Sequence, residues 1–255
     1  MAAIKLALAA GATLLLAAGI AAAQIPNVRA PTAPPAVMEA VADPGRPSVD
    51  TARDANRKPG QTVAVSGLKA GDTVIELGSA GGYYSRILSK VVGPKGKIYA
   101  VVSAAQLAAR PASADAIKAI AAAYSNIMVV PDDLTTLAAV PEKVDMVWTT
   151  ENYHDFHNAM ADMGPYNKAV FNALKPGGIY FVEDHASAAG AGLTVSKTLH
   201  RIDPVLVRTE VEAAGFKLMR TSDILAHPED DHLKQNAEIS IRGQTDRFIM
   251  VFRKP

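Results

Sequence analysis

All six histidines lie in the second half of the chain, and several sit among carboxylates just after apolar runs. "ENYHDFH" offers Glu151, His154, Asp155 and His157; "EDHA" offers Glu183, Asp184 and His185. Imidazole titrates near neutral pH, so a histidine held beside a reacting group suits proton transfer. If the two segments end neighbouring strands, His154 is a candidate general base and His185 a second candidate. Asp184 would then orient His154 or coordinate a cation. The plainer role for His154 is to cap a helix or tie down a loop. Such nitrogen and oxygen donors also suit a metal. No H-E-x-x-H run occurs, however, and His154 with His157 or Glu151 on one helical face is too little for a ligand set. No metal ligand is assigned.

A second chemical signal is "VIELGSAGGYYSRIL" at 74–88: a β-branched run, a glycine turn, then an amphipathic helix. Gly78, Gly81 and Gly82 permit backbone conformations and close approaches that a side chain would obstruct. Ligands of open α/β sheets bind beyond the carboxyl ends of the strands. Glu76, two residues before the turn, is therefore a candidate for a polar or cationic cofactor group. The order Gly78-Ser79-Ala80-Gly81-Gly82 fits the G-x-G-x-x-G dinucleotide spacing poorly, and no G-x-x-x-x-G-K-[ST] loop is present.

The elements that must position these residues follow from alternation. "TVIEL", "KIYAVV", "IMVV", "KVDMVWT" and "IYFVED" read as strands, and helical segments lie between most of them. One helix is expected from about Tyr83 to Val91. "SVDTARDANRKPGQTVAVSGL" holds one or two short helices, and "NAMADMGPYNKAVFNAL" is helical with an interruption at Pro165. "KPGG" is a turn. This alternation predicts a parallel sheet with helices on both faces. "KLMRTSDIL" and "DRFIMVFRK" then add two late strands as an antiparallel hairpin.

With these segments in this order, the chain resembles the class I S-adenosylmethionine-dependent methyltransferases. "VIELGSAGG" resembles their first motif, and "NIMVVPDDL", "KVDMVWTTENYHDF" and "LKPGGIYFVEDH" follow in that family's order. "RDANRKPGQTVAVSGLKAGDTVIELGSAGGYYSRIL", "NYHDFH", "LHRIDP" and "RGQTDRFIMVFRKP" resemble a bacterial group of predicted, often exported methyltransferases. The resemblance implies a Rossmann-like α/β fold with a mostly parallel seven-stranded sheet, and S-adenosyl-L-methionine as cofactor. By that pattern Glu76, Gly78, Ala80 and Gly82 shape the methionine end of the cofactor site. Asp132 or Asp133 approaches the adenine amino group, and Thr149–Asn152 lines the opening where donor and acceptor meet. Ala80 stands at the middle glycine position. Val102 stands where many relatives carry an acidic residue against the ribose, and water or Ser103 is the substitute acceptor.

Composition bounds the rest. The chain has 255 residues, 26 basic and 25 acidic side chains and no cysteine. That excludes thiolate chemistry, and neither the charge balance nor any basic aromatic strip points to nucleic acid. "MAAIKLALAAGATLLLAAGIAAAQ" reads as an export signal over residues 1–23, with small residues at Ala21 and Ala23. The expected location is the periplasm, without stable membrane contact after cleavage. Residues 24–47, rich in proline and alanine, read as an extended linker draped over a single domain at 48–255. Three polar groups remain: Arg53, Asp54 and Arg57; His200, Arg201 and Asp203; Arg242, Asp246 and Arg247. They either form ion pairs that pin the N-terminal segment and late loops, or a lid over an anionic or polar acceptor.

The expected activity is methyl transfer to a small molecule. The alternatives are a non-catalytic exported binding protein with a degenerate cofactor site, or a metal-assisted enzyme. No coiled-coil repeat announces an oligomeric state.

Overall fold

A computed structural model of the chain describes residues 25–29, 31–79, 81–103, 107 and 111–255. The predicted export signal and Ala80 lie outside the described residues. Strands β1 (Thr73–Leu77), β2 (Lys97–Val102), β3 (Ile127–Pro131), β4 (Val144–Thr150), β5 (Leu174–His185), β6 (Lys217–Ser222) and β7 (Arg247–Arg253) form one seven-stranded sheet of order β3-β2-β1-β4-β5-β7-β6. β1 to β5 pair in parallel, and β7 pairs antiparallel with both β5 and β6. The expected Rossmann-like sheet with a closing hairpin is the observed one.

β1 is buried at every position, as expected for a β-branched strand covered on both faces. Its alternate side chains feed two cores. Val74 packs with Ile98, Trp148 and Phe181 on one face, while Ile75 and Leu77 pack with Val147, Tyr180 and Val182 on the other. Trp148 stacks on Phe181 at 4.0 Å between ring centres, with Tyr84 at 5.1 Å. Truncating a buried aromatic of this kind costs about 3–5 kcal/mol.

Helices α1 (Pro35–Val41), α2 (Ser48–Thr51), α3 (Asp54–Arg57), α4 (Pro59–Ser66), α5 (Tyr83–Val92) and α6 (Pro111–Ala123) precede β3; α7 (Tyr153–Ala159) and α8 (Gly164–Ala173) join β4 to β5. α9 (Ser196–Leu199) and α10 (Pro204–Ala213) lead to β6. The break between α7 and α8 falls just before Pro165, which occupies the first turn of α8, where its missing N–H costs nothing. The Lys175–Gly178 segment read as a turn lies within β5 as an irregularity. β4 pairs with Leu174 and then resumes at Ile179.

The linker expectation needs correction in its second half. α1 buries Val37 and Ala40 in the core, so packing starts before Ser48. Pro26 and Val28 exchange backbone hydrogen bonds with Thr221 and so cover the open edge of β6. Ion pairs fix the chain from Arg46 onward: Arg46 donates twice to Asp54 at 2.7 and 2.8 Å, and Arg86 to Asp50 at 2.6 Å. Among the described residues no helix is long and apolar enough to cross a membrane.

Candidate functional site

The glycine turn joins β1 to α5 at the carboxyl edge of the sheet. Gly78 and Gly82 have φ of 72° and 75°, the left-handed region where glycine is unstrained. A Cβ at Gly78 would lie 2.7 Å from the Asn152 side chain, and one at Gly82 would strike Ile120. At Gly81 a Cβ would meet nothing within 4 Å, so the turn is open there. Asn152 Nδ2 donates to the Gly78 carbonyl at 3.3 Å and ties the turn to the end of β4. Glu76 lies beneath the turn, 3% exposed, and accepts from Ser85 Oγ at 2.5 Å. Burial pushes its carboxyl up to about 7, against the lowering effect of Ser85 and Ser79.

The structure brings the other cofactor candidates to the same edge. Val102 ends β2 with its side chain buried, and half-buried Ser103 comes next. The Val102 carbonyl accepts from Asp132 N at 3.1 Å, which sets Asp132 beside that strand end. Asp132 also shapes its own loop, accepting from Asp133 N and Ala139 N at 2.7 Å each. Asp133 accepts from Thr135 N and Oγ1, and the Thr135 amide holds its carboxyl below the ordinary value. A carboxylate has about four acceptor sites, so both keep capacity for a ligand.

His154, at the start of α7 just after β4, meets Asp184 near the end of β5. Asp184, fully buried, accepts from His154 N at 2.8 Å and contacts His154 Nδ1 at 2.7 Å. His154 Nε2 lies 3.3 Å from Asp155, which also meets His200 Nδ1 at 3.1 Å. Burial disfavours a charged ring, but Asp184 and Asp155 outweigh it and hold His154 up at about 10. The ring is thus an imidazolium at neutral pH, and it does not line the cavity on which His185 opens. Its two ring N–H groups are committed to Asp184 and Asp155. His154, Asp155 and His200 also form a cluster with ligand atoms within 4.8 Å of one another, a set that could take a metal through nitrogen and oxygen. Asp155 already engages both rings, hydrogen-bonding His200 Nδ1 and ion-pairing with His154 Nε2.

His185 faces a different environment. Its Nδ1 contacts Thr245 Oγ1 at 2.8 Å, and burial presses its pKa down to about 4, so the ring is neutral at pH 7. It lines a cavity of about 660 Å³ above the ends of β4 and β5. Arg53, Arg57, Arg242, Arg247 and Glu151 share the lining. Glu151 has φ of 55°, a strained conformation for a side-chain-bearing residue, costing on the order of 1 kcal/mol. That backbone aims its carboxylate between Arg57 and Arg247, the latter at 3.0 Å. Arg247 also donates to Glu183 at 3.3 Å and to the Asn56 carbonyl at 2.5 Å. The arginines hold Glu151 ionised against burial, while burial and then Glu151 push Glu183 upward.

Two of the three polar groups in the sequence therefore converge on one cavity. The third does not. Arg201 is buried on Asp230 at 2.7 Å, and Asp203 caps α10 through Val205 N at 2.8 Å. Sequence reasoning did not single out Thr245 or Asn56, nor pair Asp155 with His200. These contacts span 45 residues or more, and no local pattern announces them.

No protein-family model matches the chain. Protein-L-isoaspartate O-methyltransferase from Ignicoccus hospitalis is 32% identical over 71 residues, covering 28% of this chain and 32% of that relative's length. A SAM-dependent methyltransferase from Aquifex aeolicus superposes with a TM-score of 0.55 at 17% identity, over 78% of this chain and 89% of its own. The [4+2]-cyclase SpnF does so with a TM-score of 0.55 at 16% identity, over 86% and 92%. Such distant likeness concerns the backbone, and one fold can host different chemistries. Strand order, glycine turn and structural neighbours together show that the chain has the fold of the class I S-adenosylmethionine-dependent methyltransferases.

Proposed function

We propose that the chain transfers a methyl group from S-adenosylmethionine to a small molecule held in the cavity above β4 and β5. One observation carries this reading. Asn152 bonds to the Gly78 carbonyl of the glycine turn, and its neighbour Glu151 lines the cavity. The turn and the cavity thus adjoin through two consecutive residues. The donor fits the turn: Gly81 is open above it, and Asp132 and Asp133 retain acceptor capacity at the end of β3. Val102 contributes no acceptor to a ribose, so that interaction falls to Ser103 or water. S-adenosylmethionine, when bound, would supply an electrophilic methyl group for an acceptor lone pair, with the S–C electron pair remaining on sulfur.

The protein's own part is alignment and proton handling. The cavity volume suits a small molecule rather than a polymer. His185, neutral and facing the acceptor, receives the proton that an O–H or N–H acceptor releases, with Thr245 fixing its ring. The imidazolium of His154 has no free site for that proton, so the general-base role passes from His154 to His185. His154 and Asp184 instead hold the end of β5 and the start of α7 together. The relative from Ignicoccus is named for O-methylation, which agrees with an oxygen acceptor.

Calorimetric titration of the full chain with S-adenosylmethionine and S-adenosylhomocysteine tests the reading. One-to-one saturable binding and a raised melting temperature are expected. A folded sample that binds neither ligand sinks it. The reading includes export to the periplasm with cleavage after Ala23, supported by the apolar N-terminal run. Cell fractionation and the mass of the mature N-terminus test that part separately.

A further inference from the structure

We infer that the cavity binds a small oxyanion and that Arg53 and Arg242 are its anchors. If the methyl-transfer reading holds, the acceptor is itself an anion bearing a carboxylate or phosphate group.

The lining carries four guanidinium groups against the single carboxylate of Glu151. Two of the four are already committed. Arg57 pairs with Glu151, and Arg247 pairs with Glu151 and Glu183. Arg53 and Arg242 have no carboxylate within 4 Å among the described residues. Arg53 is held instead over the Tyr83 ring, 5.2 Å from its centre, which orients the guanidinium without neutralising it. Its pKa lies below the ordinary value, mainly through partial burial and then through the neighbouring Arg57, against the opposing pull of Glu151 and Asp50. Arg242 approaches from the loop before β7.

A surplus of positive charge around a half-open cavity costs repulsion that an anion relieves. Arg247 Nε gives a second indication. It is buried without a hydrogen-bond partner, and such groups are few in folded proteins. The guanidinium fork matches carboxylate and phosphate oxygens in pairs. His185 adds a neutral ring nitrogen beside the same space. The occupant is therefore a small molecule with at least one oxyanion between Arg53 and Arg242. Its remaining body extends toward His185 and Glu151.

Titration of the full chain with succinate, glycerol 3-phosphate and the neutral succinamide tests this. At least one anion is expected to bind at least tenfold more tightly than succinamide, and to weaken as salt is raised. The stronger of the two identifies the oxyanion. Arg53→Gln and Arg242→Gln should each cost about tenfold in anion affinity, the loss expected for one charge-assisted hydrogen bond. Both side chains are exposed, so the variants should melt with the wild type. Equal binding of succinamide, no binding of either anion, or unchanged binding by the double variant overturns the inference. S-adenosylhomocysteine titrated into the same samples separates the two claims. Cofactor binding without anion binding leaves methyl transfer standing and removes the anionic acceptor. Anion binding without cofactor binding keeps the oxyanion site and removes methyl transfer.

Discussion

Raising the pH should unfasten the junction between β5 and α7, because His154 is held as an imidazolium there. The group's pKa is about 10 in the folded chain against 6.5 for an exposed histidine. The charged groups facing the ring are Asp184 and Asp155, with His200 behind Asp155. Below pH 6.5 the ring is protonated in both folded and unfolded chains, and the full stabilisation is present. Between 6.5 and about 10 only the folded chain keeps the proton, so stability falls through that window. At 1.36 kcal/mol per tenfold, the full contribution is about 5 kcal/mol. From pH 7 to pH 9 about 2–3 kcal/mol is lost. With a urea slope of about 2–3 kcal/mol per molar, the unfolding midpoint should drop by about 1 M. His157, raised by Glu210, acts in the same direction. The difference between wild type and His154→Gln therefore isolates His154. The variant should be less stable at pH 7 by about 3–5 kcal/mol, the cost of leaving Asp184 buried and unpaired, and flatter above it. A wild-type midpoint that stays constant from pH 7 to 9 would refute the imidazolium, and with it the transfer of the base role to His185.

Three further outcomes rest on the same reasoning. Burial raises Glu76 to about 7, so its contribution to stability is lost as pH rises from 4.5 to about 7, and the full penalty stands above that. Glu76→Gln should therefore be more stable than wild type at pH 8, by up to about 3 kcal/mol, and no different at pH 4. Its affinity for S-adenosylhomocysteine should fall about tenfold, the loss expected for one charge-assisted hydrogen bond, as melting curves with and without ligand would show. Gly82→Ala combines a φ of 75° with a clash against the flexible end of Ile120. It should cost about 1–3 kcal/mol in chemical denaturation, and an unchanged midpoint would mean the turn is not held in this form. Val102→Asp puts a carboxylate where the ribose hydroxyls are expected, and should tighten calorimetric cofactor binding about tenfold; weaker binding would mean the cofactor sits elsewhere.

Much of this fold was legible because its core is written in local signals. "TVIEL", "KIYAVV" and "DRFIMVFRK" are β-branched or aromatic runs bounded by turns, and each became a strand within a residue or two. The helix from Tyr83 was bounded by Gly82 and Gly93, and both adopt positive φ. Prolines misled the reading at 24–47. Pro35 sits in the first turn of α1, where its fixed φ favours a helix, so proline content alone did not mark an extended chain. The His154–Asp184 pairing was readable from two strand ends. The protonation state of His154 was not, because it depends on burial and on Asp155 reaching the opposite ring nitrogen.

The cavity shows why a site can be partly written in a sequence and still not be read from it. Arg57 and Arg247 meet Glu151 across 94 and 96 residues, so Arg57, Glu151 and Arg247 carry no sign in the sequence of sharing a space. What joins them is the sheet order. β4 and β5 are neighbours, β7 inserts beside β5, and the N-terminal helices are pinned across the same edge by Arg46, Asp54 and Tyr83. Pinning is itself a functional statement. Asp54 accepts from Tyr83, the first residue of α5, and so connects the helix carrying Arg57, with Arg53 at its N-cap, to the glycine turn. A ligand that shifts the turn must therefore load the same contacts that place the arginines. Binding at the turn and binding in the cavity should be energetically coupled, each changing the other's affinity by the same factor. Saturating the full chain with S-adenosylhomocysteine should shift its succinate or glycerol 3-phosphate affinity. Tyr83→Phe, which removes the Asp54 link but keeps the ring under Arg53, should reduce that shift. If the shift is the same in both proteins, the N-terminal helices are a lid over the cavity and not a connection between its two halves.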